Sequence, residues 1–288
     1  MVPAASIKKT IEFNKSFRSL LEVIKLLSVS QYHALEKKLK TFEQLEKVFG
    51  DFFESIDTRS IQHPFLDPGD RPSGVLAVTS DAGLLGGLNM QVVSKAVELL
   101  REGQGKLVIV GEKGRVYAQD MGLPFVYFPG VADEKKAAQA CELRDYLTKQ
   151  VLQGAIGSVK IVYPKAVSVV VQRVEVATLI PFIKPQESAE PRLPDGQALT
   201  PLQETIMESK AEAVLEYLVY LFLGQRICEI FGMSRLAEQA ARFVHLEESC
   251  QRISKMNDKL LLQYFRRRHE AIDQNMRELF AARSLYAK

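Results

Sequence analysis

Tryptophan is absent, and the 288 residues hold only three cysteines and four histidines. Cys141, Cys228 and Cys250 share no paired spacing, which argues against a disulfide framework or zinc site and for a reducing compartment. His33, His63, His245 and His269 lie in separate segments with no H-E-x-x-H spacing. No G-x-S-x-G nucleophile turn occurs either, so no catalytic residue, metal ligand or cofactor is expected. Long apolar runs are also missing. The greasiest, AVLEYLVYLFL (Ala213–Leu223), contains Glu216 and falls well short of the roughly 20 residues a spanning helix requires. The N-terminal MVPAASIKKT lacks the apolar core of a secretory signal. The expectation is a soluble, cytoplasmic protein. Net charge is only +3, which forces neither a nucleic-acid nor a membrane reading. Both ends are nevertheless basic: residues 1–49 carry 9 Lys and Arg against 5 Asp and Glu, and residues 233–288 carry 11 against 7. The centre, with 18 against 23, is mildly acidic.

Glycine and proline are missing from Ala4 to Phe49, which favours one uninterrupted helix. Phe13, Phe17, Leu20, Ile24, Leu27, Gln31, Ala34, Lys38, Thr41, Leu45, Val48, Phe52 and Ser55 step by fours and threes. One narrow, mostly apolar stripe sustained over that many turns is the pattern of a coiled-coil seam. A helix of about 45 residues would be roughly 70 Å long, more than a domain of ordinary size covers. The C-terminal segment behaves alike: no proline follows Pro201, and the only glycines there are Gly224 and Gly232. Phe243, Leu246, Cys250, Ile253, Asn257, Leu260 and Tyr264 again step by threes and fours, and then Phe265, Ile272, Leu279 and Tyr286 recur every seven. Such a register shift relaxes supercoiling locally without ending the helix. Two stripes at opposite ends of one chain bury each other if the helices form a long antiparallel hairpin with the middle inserted at its turn. Gln31, Lys38, Thr41 and Asn257 are then polar seam positions of the kind that fix register.

The middle reads as α/β. GVLAVTS and KLVIVG are short, β-branched runs, each followed by a helical pattern, and FVYF, a further helix over EKKAAQACELRDYLTKQVLQ, VKIVYP and VSVVVQRVEVATLIPF come next. This alternation implies a mostly parallel sheet whose last two strands form a hairpin. KPQESAEPRLPDGQALTP carries four prolines and reads as a linker. The expected organisation is an N-terminal helix over 1–57, an α/β domain over 58–183, a linker over 184–201 and a C-terminal helix over 202–288.

Between the first strand and helix lies VTSDAGLLGGLN (Val78–Asn89), with Gly83, Gly86 and Gly87. A dinucleotide loop needs G-x-G-x-x-G in that order, and a Walker loop needs a following G-K-S or G-K-T. Neither is present, and Leu84 and Leu85 put bulk where a phosphate would sit. The three glycines read as a structural strand-to-helix turn. Arg266–His269, RRRH, presents guanidinium groups suited to carboxylates on a partner; a plain solvated helix face is the other reading.

Together these segments resemble the gamma subunit family of rotary F-type ATP synthases. SDAGLLGGLN is similar to that family's S-D-R-G-L-C-G-G-L-N, with Ala82 for arginine and Leu85 for cysteine. AEQAARFVHLEES resembles its S-E-N-A-A-R-M stretch at Glu238–Arg242. YFRRRHEAIDQNMRELFAA resembles its C-terminal Y-N-R-x-R-Q-x-x-I-T-x-E-x-x-E-I, and VQRVEVATLIPF its strand ending in L-L-P. The resemblance implies an α/β fold in which a coiled coil of the two terminal helices carries an inserted Rossmann-like foot that does not work through a bound nucleotide. It implies a central rotor, one copy per complex, turning inside a ring of alpha and beta subunits and resting on the epsilon subunit and the membrane ring of c subunits. The chain would sit peripherally on the cytoplasmic face and couple ion flow to ATP synthesis or hydrolysis without a catalytic site of its own. Arg266 and Arg268 match two family arginines and His269 replaces a glutamine; all three are expected to meet the beta subunits. Gln31 stands where the family's N-terminal helix carries a lysine, so it too is expected at the ring. Gly224 and Gly232 fall where the family is unbroken helix, and are expected to mark a bend. These departures describe a divergent member, suited to an alternative enzyme complex.

Two other classes of function compete. A nucleotide-dependent α/β enzyme with coiled-coil extensions predicts saturable dinucleotide binding with protection of Asp81–Asn89. A coiled-coil scaffold or nucleic-acid binder predicts a steep loss of nucleic-acid affinity with salt. Neither accounts for the matched segments, so no nucleic-acid partner is expected.

Overall fold

The structure, a computed structural model, describes residues 3–39, 63–101, 105–181 and 210–286. In chain order the elements are α1 (Ala4–Leu39), β1 (Ser73–Val78), α2 (Leu88–Arg101), β2 (Gly105–Val110), α3 (Glu112–Asp120), β3 (Phe125–Phe128), α4 (Lys136–Leu152), β4 (Ser158–Ala166), β5 (Gln172–Ile180) and α5 (Ala211–Tyr286). The boundary expected at residue 57, the linker 184–201 and the seam positions from Thr41 to Ser55 lie outside the described residues. The chain divides into two compact units, Met1–Val29 with Arg242–Lys288, and Ser30–Ala241.

In the first unit α1 and α5 pair antiparallel. Asn14 Nδ2 donates to Asn257 Oδ1 at 2.9 Å, and further along Lys25 Nζ meets Glu247 Oε2 at 2.7 Å, so one helix ascends as the other descends. Leu21, Leu246, Cys250 and Ile253 form the apolar part of the seam, flanked by Ile24. The expected face of α5 is therefore present, whereas that of α1 needs correction. Phe13, Phe17, Leu20 and Leu27 are 67%, 42%, 55% and 55% exposed, and the buried positions are Ile7, Ile11, Asn14, Leu21 and Ser28. The buried stripe lies one residue on from the expected one, about 100° around the helix. Apolar count favours the stripe containing the phenylalanines. The helices instead pack along the stripe that holds Asn14, which finds a partner in Asn257, and the buried Ser28. The heptad at Phe265, Ile272 and Leu279 is also corrected: these side chains are 43%, 47% and 68% exposed. The register set by Asn14 and Asn257 brings the start of α1 opposite residues near 267, so Ile272 and Leu279 lie past it, while Phe265, still alongside α1, is off the buried seam.

The second unit is built on a five-stranded sheet ordered β3-β2-β1-β4-β5. β3, β2, β1 and β4 run parallel, and β5 returns antiparallel to β4 with Ala166 opposite Gln172. Helices cover both faces, which is why β1 is almost continuously apolar and buried rather than alternating. One face sets Leu76, Val78, Val108, Val110 and Ile161 against Leu143, Leu147 and Val151 of α4. Leu215, Val219, Leu223, Ile227, Ile230 and Phe231 of α5 complete that core, spaced to form one stripe of the helix. The opposite face packs Val75, Ala77, Leu107 and Ile109 against Val92 and Ala96 of α2 and Ala118 of α3. A smaller cluster joins Tyr32, Leu35 and Leu39 of α1 to Leu236 and Ala240 of α5, to Ala166 at the end of β4 and to Val169 in the turn that follows. Here again α1 buries positions one beyond the expected Gln31, Ala34 and Lys38, which are exposed.

α5 runs uninterrupted through Gly224 and Gly232. They mark close approaches: a Cβ at Gly224 would lie 3.0 Å from an Arg144 nitrogen, and one at Gly232 would lie 2.8 Å from Leu39 Cδ2.

Candidate functional site

Ligands of open parallel sheets gather at the carboxyl ends of the strands, where helix N-termini offer N–H donors. In this chain the glycine loop follows β1 at that edge, and the polar groups there are engaged by the loop itself. Thr79 is buried; its Oγ1 donates to Val110 O at 2.6 Å and accepts from Gly114 N–H at 3.0 Å. Ser80 and Asn89 are buried and lock the two ends of the loop together. Ser80 N–H donates to Asn89 Oδ1 at 3.2 Å, and Asn89 Nδ2 donates to Ser80 Oγ at 2.9 Å. Asp81 Oδ1 accepts from the N–H of Glu112, the first residue of α3, at 2.8 Å and from Gly130 N–H after β3 at 3.1 Å. An internal carboxylate thus takes the donors that a phosphate would need. A Cβ at Gly130 would collide with that carboxylate, and one at Gly114 would collide with Thr79 Oγ1.

Of the three loop glycines, Gly86 has a positive φ, 59°, which an L side chain tolerates poorly. Gly83 and Gly87 have no neighbour closer than 3.8 Å to an added Cβ. Leu84 takes φ 65° without being glycine. Leu85, expected to obstruct a phosphate, is buried with Leu88 against Ala241 of α5. The loop's bulk therefore seals it onto a helix.

Around the loop, Arg115 donates to both Glu112 oxygens and holds that carboxyl below its ordinary value. Burial, reinforced by the nearby Asp81 and Glu112 carboxylates, pushes the Tyr127 phenol up. Nearby, Arg235 of α5 joins Asp133, at 3.1 Å, to the buried Glu238, at 2.7 Å. Glu238 is the first residue of the matched Glu238–Arg242 segment.

The basic segment lies in the other unit. Arg266, Arg268 and His269 are exposed, while Arg267 between them donates to Glu270 at 2.8 Å. Among the described residues Arg266 and Arg268 make no ion pair. Gln31 is exposed in the second unit. The structure thus joins the glycine loop to the Glu238 region and assigns the basic segment to a separate unit. The expectations passed over Asp81, Asn14 and the Arg235–Asp133 pair. Asp81 stands within the matched loop segment, but nothing in the linear order ties it to Glu112 and Gly130.

A family model described as ATP synthase matches residues 4–284. The ATP synthase gamma chain of Opitutus terrae is 23% identical over 295 residues, covering 98% of each chain. That of Clostridium acetobutylicum is 26% identical over 278 residues, covering 95% of this chain and 94% of the other. Among solved structures, the Euglena gracilis mitochondrial ATP synthase rotor aligns with a TM-score of 0.66 at 17% identity, over 93% of this chain and 98% of that one. The central stalk with c-ring of the Tetrahymena thermophila mitochondrial ATP synthase aligns with a TM-score of 0.58 at 16% identity, over 80% and 99%.

Proposed function

This chain belongs to the ATP synthase family, and we infer that its part there is mechanical. It is a gamma chain, the central-stalk rotor subunit of a rotary F-type ATP synthase, coupling ion flow through a membrane ring to ATP synthesis or hydrolysis in the catalytic ring. The observation that carries this reading is the family match along residues 4–284, joined to gamma chains aligned over nearly their full length. The physical design agrees. Torque needs helices that neither slip nor shear, and the Asn14–Asn257 and Lys25–Glu247 pairs hold α1 and α5 in one register. Nucleotide chemistry is disfavoured in the foot because Asp81 already occupies the N–H donors at the strand ends. Gly83, Gly86 and Gly87 then serve a structural turn.

Arg266, Arg268 and His269, with Gln31, are the residues we assign to the alpha and beta ring. Their exposure supports this, as does the lack of an internal ion pair at Arg266 and Arg268 among the described residues. The foot rests on an epsilon-type subunit and the c-ring, and the chain is peripheral on the cytoplasmic face. Among the described residues no helix is long and apolar enough to cross a membrane.

Co-purification of a tagged copy from gently solubilised native membranes tests the rotor reading. Alpha and beta subunits in threefold excess over this chain are expected; a stable soluble complex without ATPase subunits overturns it. In the assembled enzyme, Arg266→Ala with Arg268→Ala should lower ATP-driven turnover about tenfold or more, since a hydrogen bond to a charged group contributes about 1.5–3 kcal/mol. Unchanged turnover removes these arginines from the ring contact.

A further inference from the structure

α4 and α5 pass each other in the second unit in opposite senses, and two contacts set their register. At one end, the Arg144 guanidinium lies 3.7 Å from the Tyr220 ring centroid, and Arg144 Cδ lies 3.3 Å from where a Cβ on Gly224 would sit. At the other, Lys136 Nζ lies 3.4 Å from where a Cβ on Gly232 would sit. Going from 144 to 136 on α4 thus corresponds to going from 224 to 232 on α5. Cys228 lies midway between the two glycines, and Cys141 lies between Lys136 and Arg144. The register therefore sets Cys141 and Cys228 opposite each other. Glycine one turn to either side of Cys228 lets neighbouring groups come close to α5 there, since interhelical distance follows the side chains at the contact.

From this geometry we propose that Cys141 and Cys228 form a reversible disulfide that ties α4 to α5 when the chain meets a small-molecule disulfide. Both thiols are free and half-buried, so a small reagent can reach them, whereas Cys250 is buried in the seam of the other unit. Burial pushes the Cys228 thiol up, Lys136 opposes this, and Cys141 adds to it. The bland alternative is two small half-apolar side chains filling a helix-packing gap.

The chemistry balances with one reagent. The Cys141 sulfur attacks a glutathione-type disulfide, the reagent S–S bond breaks, and one reagent thiol leaves with a proton. Cys228, as thiolate, then attacks the Cys141 sulfur of the mixed disulfide and expels the second reagent thiol. Two protein thiols lose two electrons and two protons, and one disulfide becomes two thiols. Excess thiol runs the sequence backwards, as suits a sensor in a reducing compartment.

The test uses the reduced full-length chain, incubated in oxidised and reduced glutathione at graded ratios, then denatured, alkylated and digested for mass spectrometry. Alkylation should fall from three thiols to one, Cys250, with a peptide linking Cys141 to Cys228, and dithiothreitol should restore all three. Cys228→Ser should leave glutathione attached to Cys141, and Cys250→Ser should leave the link unchanged. Three alkylated thiols at the most oxidising ratio overturn the proposal. So do glutathione adducts persisting on both cysteines of the unsubstituted chain, or a link that includes Cys250. The unsubstituted chain decides the matter even if a variant folds poorly.

Discussion

The two units solve the burial problem differently. In Ser30–Ala241, a sheet covered on both faces encloses its apolar side chains, and Leu76, Ile109, Ile161 and Phe231 are essentially inaccessible. In the paired ends of α1 and α5, two helices can shield only the narrow strip between them. The buried apolar side chains there come down to Ile7, Ile11, Leu21, Leu246, Cys250 and Ile253, while Phe13, Phe17, Leu262 and Phe280 remain exposed. Burial in the sheet unit is nondirectional and large. In the helical unit, directional polar pairs specify the alignment that so few apolar contacts leave loosely defined.

Breaking the larger core should have the largest effect. Phe231→Ala removes a fully buried ring from the main cluster, and a loss of about 3–5 kcal/mol is expected in urea unfolding. A loss under about 1 kcal/mol, on the scale of a surface change, would mean α5 contributes little to that core. Asp81→Ala should cost less, about 1–3 kcal/mol, by leaving the N–H groups of Glu112 and Gly130 without their acceptor. Hydrogen exchange at those two amides reports the change directly; unchanged protection would mean that the carboxylate is dispensable.

In the helical unit, Asn14→Leu strands Asn257 and should destabilise the pairing by about 1 kcal/mol. Combining it with Asn257→Leu should recover that stability while loosening register, which a spin-label distance distribution across α1 and α5 would show as broadening. A double variant as narrow as the parent would deny the asparagines a register role.

The smallest effect concerns pH. The hydrogen bond from Lys25 lowers Glu247 from its ordinary 4.5, and the same bond raises Lys25 from 10.5. A depressed carboxyl contributes stability that is present above about 4.5 and lost as pH falls through its folded value. The raised amine contributes stability that is present below 10.5 and lost as pH rises through its own folded value. Glu247→Gln should therefore lower Tm slightly at neutral pH and converge with the parent in acid; a constant offset at every pH would contradict the pairing.

Much of this architecture was legible before any coordinates. The absence of glycine and proline in α1 marks a helix because nothing there opposes one. The β-branched runs and their alternation with helical patterns imply the parallel sheet and its final hairpin. The seam of α1 was displaced by one residue because periodicity measures which stripe is richest in apolar side chains. Burial instead depends on where the partner helix lies. The packing role of Gly224 and Gly232 was hidden for a related reason: a glycine looks like weakness until the side chain that needs its space, Arg144 or Leu39, is known.

Local preference and matched segments, read along the chain, suffice for the helices, the strands, their succession and the family. Packing settles which face of α1 is buried and which donors Asp81 occupies. Each of these joins residues distant in the chain, and a linear pattern carries the propensity of a segment without the position of its neighbour.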